Sequence, residues 1–156
     1  MGAKQNLELI DQGLVSGHTV QSSFRFVAEA FLAVHDVERA ERFAEGLRAH
    51  PNATGRLREA YLEVSVGEVM LGLGRPEQGE RPFARAITLA EAVGARSTLA
   101  VAALGAAQVA AARGDARTST RQLERAVGIA REMGLGHLLA RAARLAAGGE
   151  EAAGRI

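Results

Sequence analysis

Cysteine and tryptophan are absent from the chain. Without cysteine there is no disulfide scaffold, no thiol nucleophile and no cysteine-ligated metal. Aromatic residues are few, five Phe and one Tyr, which leaves little for stacking on nucleic-acid bases. Neither sign of charge dominates: 19 basic side chains face 18 acidic ones, a formal charge of +1. That balance argues against a dedicated nucleic-acid arm or an anionic-membrane patch. No apolar run reaches the roughly 18 residues that a membrane-spanning helix needs. The opening segment MGAKQNLELIDQ also lacks the apolar core of a secretory signal. The expectation is a cytoplasmic protein with neither membrane nor nucleic acid among its partners.

What the chain has in abundance is alanine, 32 of 156 residues. Alanine, leucine, arginine and glutamate are strong helix formers, and β-branched runs are short. Lys4 is the sole lysine, and the prolines number three, Pro51, Pro76 and Pro82. At 47 % apolar and 24 % charged residues the composition is that of a globular chain about one domain long. These features predict an all-α fold. Turn-forming residues break the chain at Ser16-Gly17, His35-Asp36, His50-Pro51-Asn52, Gly74-Arg75-Pro76, Val93-Gly94, Gly114-Asp115 and Met133 to Gly136. Between the breaks lie eight apolar-periodic segments, 3–15, 19–34, 37–49, 54–73, 76–92, 96–113, 116–133 and 137–147. The stretch YLEVSV from Tyr61 alternates like a strand, but Leu62, Val66, Val69, Met70 and Leu73 also form a helical stripe. We assign it to a helix.

Internal repetition is the strongest signal. The stretches AEAFLAVHDVERAERFAEGL from Ala28, GEVMLGLGRPEQGERPFARAI from Gly67 and AQVAAARGDARTSTRQLERAV from Ala107 align with one another. Successive units begin thirty-nine and then forty positions apart. Small residues fall at Ala28, Gly67 and Ala107, and again twelve later at Ala40, Gly79 and Ser119. Large ones follow at Phe43, Phe83 and Leu123. Two antiparallel helices approach closely only where their crossing residues are small, and a large residue one turn on fills the wedge between them. Each hairpin leaves an apolar face bare, so several must stack to bury a continuous core.

On these residues the chain resembles the tetratricopeptide-repeat family. The matching positions are Ala28, Phe31, Ala40, Ala44 and Leu47; Gly67, Gly74, Gly79, Phe83 and Ala86; and Ala107, Gly114, Leu123 and Ala126. The resemblance covers 19–147. It departs from the family at the early tryptophan, here Phe24, Glu63 and Ala103, and its period exceeds the usual one of about 34 residues. Longer repeats of this kind look like the helical tails of bacterial regulatory ATPases and LuxR-type regulators, and MGLGHLLARAARLAAG at 133–148 is similar to their closing stretch. The resemblance implies one helical-repeat domain over 1–156, an α-α superhelix of about three hairpins (19–50, 54–93 and 96–133). A capping helix at 137–147 and a frayed tail at 148–156 would follow. Segment 3–15 reads as a second helix lacking its first, with the stripe Leu7, Ile10 and Leu14 left bare.

Residues with chemistry are sparse. The four histidines, His18, His35, His50 and His137, sit at predicted turns or helix ends in no metal-binding spacing. Gly72-Leu73-Gly74 lacks a phosphate-loop pattern and reads as a helix C-terminus. Ser65 lies mid-helix and lacks the first glycine of a nucleophile elbow. The carboxylates, among them Glu38, Glu41, Glu59, Glu63 and Glu68, have arginines three or four residues away. Such pairs read as solvated helix faces contributing about 0.3–0.5 kcal/mol each. Arg113, Arg117, Arg121, Arg125 and Arg131 form a candidate basic strip that is better matched to acidic neighbours than to nucleic acid. The expectation is no catalytic residue, no metal and no cofactor: the chain does not read as an enzyme.

The groove remains. In the family the first helix of each hairpin lines the inner surface. The resemblance therefore implies groove positions at Arg25 and Glu29, at Tyr61, Val64 and Glu68, and at Leu104 and Gln108, closed by Arg141 and Arg144 of the cap. The lysines and asparagines of the family's carboxylate clamp are absent from these places. The mixture suits an amphipathic helix or extended peptide with some acidic character. The leading expectation is a non-enzymatic protein- or peptide-binding module, an adaptor or a regulatory tail. The alternative is a homodimer formed through the open N-terminal hairpin, and a small-molecule sensor or enzyme ranks last.

Overall fold

The computed structural model describes residues 55–153, with side chains through Gly148, together with Glu38. Segments 3–15, 19–34 and, apart from Glu38, 37–49, with Arg25, Glu29 and the N-terminal hairpin, lie outside the described residues. Over residues 55–153 five helices follow one another: α1 (Arg56–Gly72), α2 (Pro76–Val93), α3 (Arg96–Ala112), α4 (Ala116–Met133) and α5 (Gly136–Ala153). There is no strand among the described residues. The alternation at Tyr61–Val66 is absorbed into α1, whose Val64, Val66 and Val69 are all buried. The last helix runs six residues past the predicted 147, through Gly148 and Gly149.

The turns follow a rule. Gly74, Gly94, Gly114 and Gly134 all hold positive φ, between 66° and 76°, and each stands twenty positions after the one before. An L side chain is strained there and glycine is not, so each helix stops where its glycine stands. After α2 the amide of Ala95 donates to the Ala90 carbonyl at 2.9 Å, and after α4 Leu135 donates to Ala130 at 2.9 Å. Starts are set differently. Pro76 opens α2 at a position where its missing N–H costs no helical bond. Asp115 caps α4 by accepting from the Thr118 amide at 3.0 Å.

Consecutive helices pack as hairpins, α1 with α2 and α3 with α4, while α2 packs onto α3 and α4 onto α5. α1 and α5 also pack on either side of α3, whereas the backbones of α2 and α4 stay apart. The result is two layers: α1, α3 and α5 in one, α2 and α4 in the other. Small residues make the close approach possible. Phe83 is fully buried, and its ring lies where a Cβ on Gly67 would come within 2.7 Å and one on Gly105 within 2.1 Å. In the next hairpin Ser119 Oγ donates to the Ala107 carbonyl at 3.0 Å. Two of the three predicted crossings, Gly67 with Gly79 and Ala107 with Ser119, therefore sit at helix contacts, and the third, Ala28 with Ala40, lies outside the described residues. Elsewhere the core is built from alanine: Ala100, Ala103, Ala126, Ala130 and Ala142 surround Leu104 and Leu138.

Candidate functional site

Three polar side chains of the α1–α3–α5 layer meet at one place. Glu68 comes from the second half of α1, Gln108 from the equivalent position one repeat later in α3, and Arg141 from the second turn of α5. Arg141 Nη1 donates to Glu68 Oε1 at 3.2 Å, and its Nη2 donates to Gln108 Oε1 at 3.5 Å. The Glu68 and Arg141 side chains are 14 % and 23 % exposed. The backbones of the helices that carry this ion pair, α1 and α5, stay apart. Since α2 and α4 occupy the other side of α3, the bridge crosses the free side of that helix.

Three of the predicted groove residues are thus brought into one hydrogen-bonded cluster. Tyr61, on the second turn of α1, is 40 % exposed, and Arg144 is exposed three residues beyond Arg141. Two others are corrected. Leu104 is fully buried inside the alanine cluster of α3, α4 and α5. Val64 is buried with Ala86 of α2 and Ala102 of α3. The reason is the neighbourhood of α3: with helices packed on four sides and Gln108 the only polar side chain in its middle turns, it keeps a narrow free face. Leu57 is not among the predicted groove positions, yet it is 42 % exposed one turn before Tyr61. Its spacing of four from Tyr61, on one helix face, is the signal that points to it.

Four arginines on the charged helix faces reach across to a neighbouring helix. Arg85 of α2 reaches Glu63 at 3.5 Å and Glu59 at 3.6 Å, both on α1. Arg113 pairs with Glu80, Arg125 with Glu91 and Arg96 with Glu132. Two members of the expected basic strip, Arg113 and Arg125, are therefore held by acidic residues of α2. On the α2–α4 side an open cleft of about 260 Å³ lies over α3, lined by Ile87, Val109, Ala106 and Gln122, with Arg113 and Glu80 also on its wall.

Residues considered for catalysis sit in ordinary helical settings. Ser65 Oγ donates to the Tyr61 carbonyl within α1 at 3.0 Å. Gly72 ends α1, and Gly74 makes the turn after it. No group of three potential metal ligands occurs among the described residues, and none of their helices is long and apolar enough to cross a membrane. One titration is displaced. The Thr118 backbone amide, and secondarily its side chain, holds the Asp115 carboxyl below the usual aspartate range, with help from Arg113 and Arg121. It marks a helix cap rather than a reactive site. Compared with known proteins, the chain is matched by no family model and by no curated protein.

Proposed function

We propose that this chain is a tetratricopeptide-like interaction module that receives a peptide segment of a protein partner on its α1–α3–α5 face, as an adaptor or the tail of a larger regulator. The observation that supports this reading most is the convergence of Glu68, Gln108 and Arg141 from three separate helices on one free face. Tyr61 and Arg144 stand exposed on α1 and α5 of the same layer. A surface that combines tyrosine and arginine with a partly desolvated polar centre has the composition of binding hot spots. The amide and guanidinium groups there suit main-chain recognition of an extended segment or the polar rim of a helix.

The test is a photo-crosslinking residue placed at position 61, with a second at Thr88 on α2 as control, in a lysate of the source organism. A discrete adduct from position 61 that is absent from position 88, and is lost on Arg141→Ala, supports the reading. Equal yields from both positions, or no adduct, count against it. A dimer of the bait as the sole adduct turns the reading to self-assembly.

A further inference from the structure

The exposed large apolar side chains among the described residues are four: Leu57, Tyr61, Val93 and Met133. All four lie toward one end of the helix stack. Helices alternate in direction, so the first turns of α1, α3 and α5 share an end with the last turns of α2 and α4. Leu57 and Tyr61 belong to the first two turns of α1, Val93 ends α2 and Met133 ends α4. Val93 and Met133 occupy equivalent positions in successive repeats, so the repeat lays them out as a row. The turns at the opposite end carry Arg75, Glu77, Arg113, Asp115 and Arg117 instead.

The charges around this apolar end are one-sided. Its carboxylates are engaged within the chain, Glu59 by Arg85, Glu91 by Arg125 and Glu132 by Arg96. Arg56, beside Leu57, and Arg131, two residues before Met133, are exposed and form no ion pair among the described residues. What the end offers a partner is therefore an apolar row flanked by positive charge. A second copy docked end to end about a two-fold axis would bring Arg56 and Arg131 against a like-charged end. Two arginines also fall short of the clusters of about four to eight that hold an anionic membrane.

We infer that the Val93 and Met133 row at this end, carried by α2 and α4, is a second docking surface beside the α1–α3–α5 face that carries Tyr61, and that its occupant is an amphipathic helix of another protein with acidic residues flanking its apolar stripe. α2 and α4 both pack on α3 while their backbones stay apart, so their axes stand between one and two interhelical spacings from each other, roughly 10–20 Å. A helix bridging Val93 and Met133 therefore needs about 7–13 residues.

Methionine methyl resonances read this directly, because Met133 lies in the row and Met70 lies in α1, away from it. The full chain, labelled at its methionine methyls, is titrated with a synthetic peptide of about five helical turns, with leucines at helical spacing and glutamates elsewhere. Its lysine counterpart and phosphatidylglycerol vesicles serve as the other arms. Binding of the acidic peptide should shift Met133 and leave Met70 in place, and Val93→Ser and Arg131→Gln should each weaken it about tenfold. Both positions are exposed, so both variants should stay folded. The inference fails if the acidic peptide produces no shift at Met133. It fails equally if the lysine peptide or the vesicles do as well, or if neither substitution matters. Arg141→Ala serves as the control for the other face: losing the peptide there would relocate the site without touching the reading of that face.

Discussion

A glycine inside a helix ordinarily costs about 0.5–1 kcal/mol relative to alanine, and this chain contains both sides of that rule. Gly128 is exposed within α4 with nothing near a would-be Cβ. Gly128→Ala should therefore raise stability by about 0.5–1 kcal/mol in chemical denaturation. Gly105 is the opposite case, since its Cβ would enter the Phe83 ring. Gly105→Ala should destabilise by about 1–3 kcal/mol despite the better helix former. Thr98 gives a third test. It is 3 % exposed and its hydroxyl has no hydrogen-bond partner, so Thr98→Val should be neutral or stabilising by up to about 1 kcal/mol. At this scale the sequence is legible where the backbone makes the demand. The turn glycines stand out because left-handed φ excludes other residues. Gly105 stays hidden because what it accommodates is the ring of Phe83, far back along the chain in another helix, and no local pattern encodes that.

At the scale of elements, starts and stops from Arg56 to Gly136 are readable to within about two residues from glycine, proline and aspartate, whereas the end of α5 is not, because the helix continues through Gly148 and Gly149. The two layers are implied by the alternation of small and large residues at Gly67, Gly79 and Phe83. The cap of α4 makes a pH prediction. Hydrogen bonding to Thr118 lowers the Asp115 pKa in the folded state, so the unfolded chain takes up the proton first as pH falls. The cap's contribution is complete above the unfolded value of about 3.9 and is lost as pH drops through the lower folded value. Thermal melts between pH 6 and pH 2 should fall more steeply for the wild type than for Asp115→Asn in the acid part of that range. The asparagine keeps a capping oxygen without the charge. Equal slopes would show that Asp115 is not coupled to folding.

For the molecule as a whole, which residues share a face is easier to read than which of them touch. Repeat register alone places Tyr61, Glu68, Gln108, Arg141 and Arg144 on one layer. That Glu68 and Arg141 join, 73 residues apart and across α3, depends on how far one hairpin is displaced from the next, and that is settled only by packing. Leu104 and Val64 depart from their predicted places for a related reason. The register gives the side of a helix, but how many neighbours crowd that side is a property of the stack. The bridge should be measurable. A double-mutant cycle with Glu68→Gln and Arg141→Gln should give a coupling of about 1 kcal/mol. Amide exchange should quicken mainly in α5, the last of the described helices. A coupling near zero would mean that the pair only decorates the face.

The even spacing of the turn glycines carries a consequence for how such a chain changes length. One interval adds a single helix and reverses the direction of everything after it, turning the α1–α3–α5 layer into the other one downstream. Two intervals restore direction, layer and register together. Insertions and deletions that preserve the stack are therefore quantised in pairs of intervals, and the segment from Arg75 to Gly114 is one such unit. It starts just after one left-handed glycine and ends on another, so its copies join head to tail without a new kind of turn.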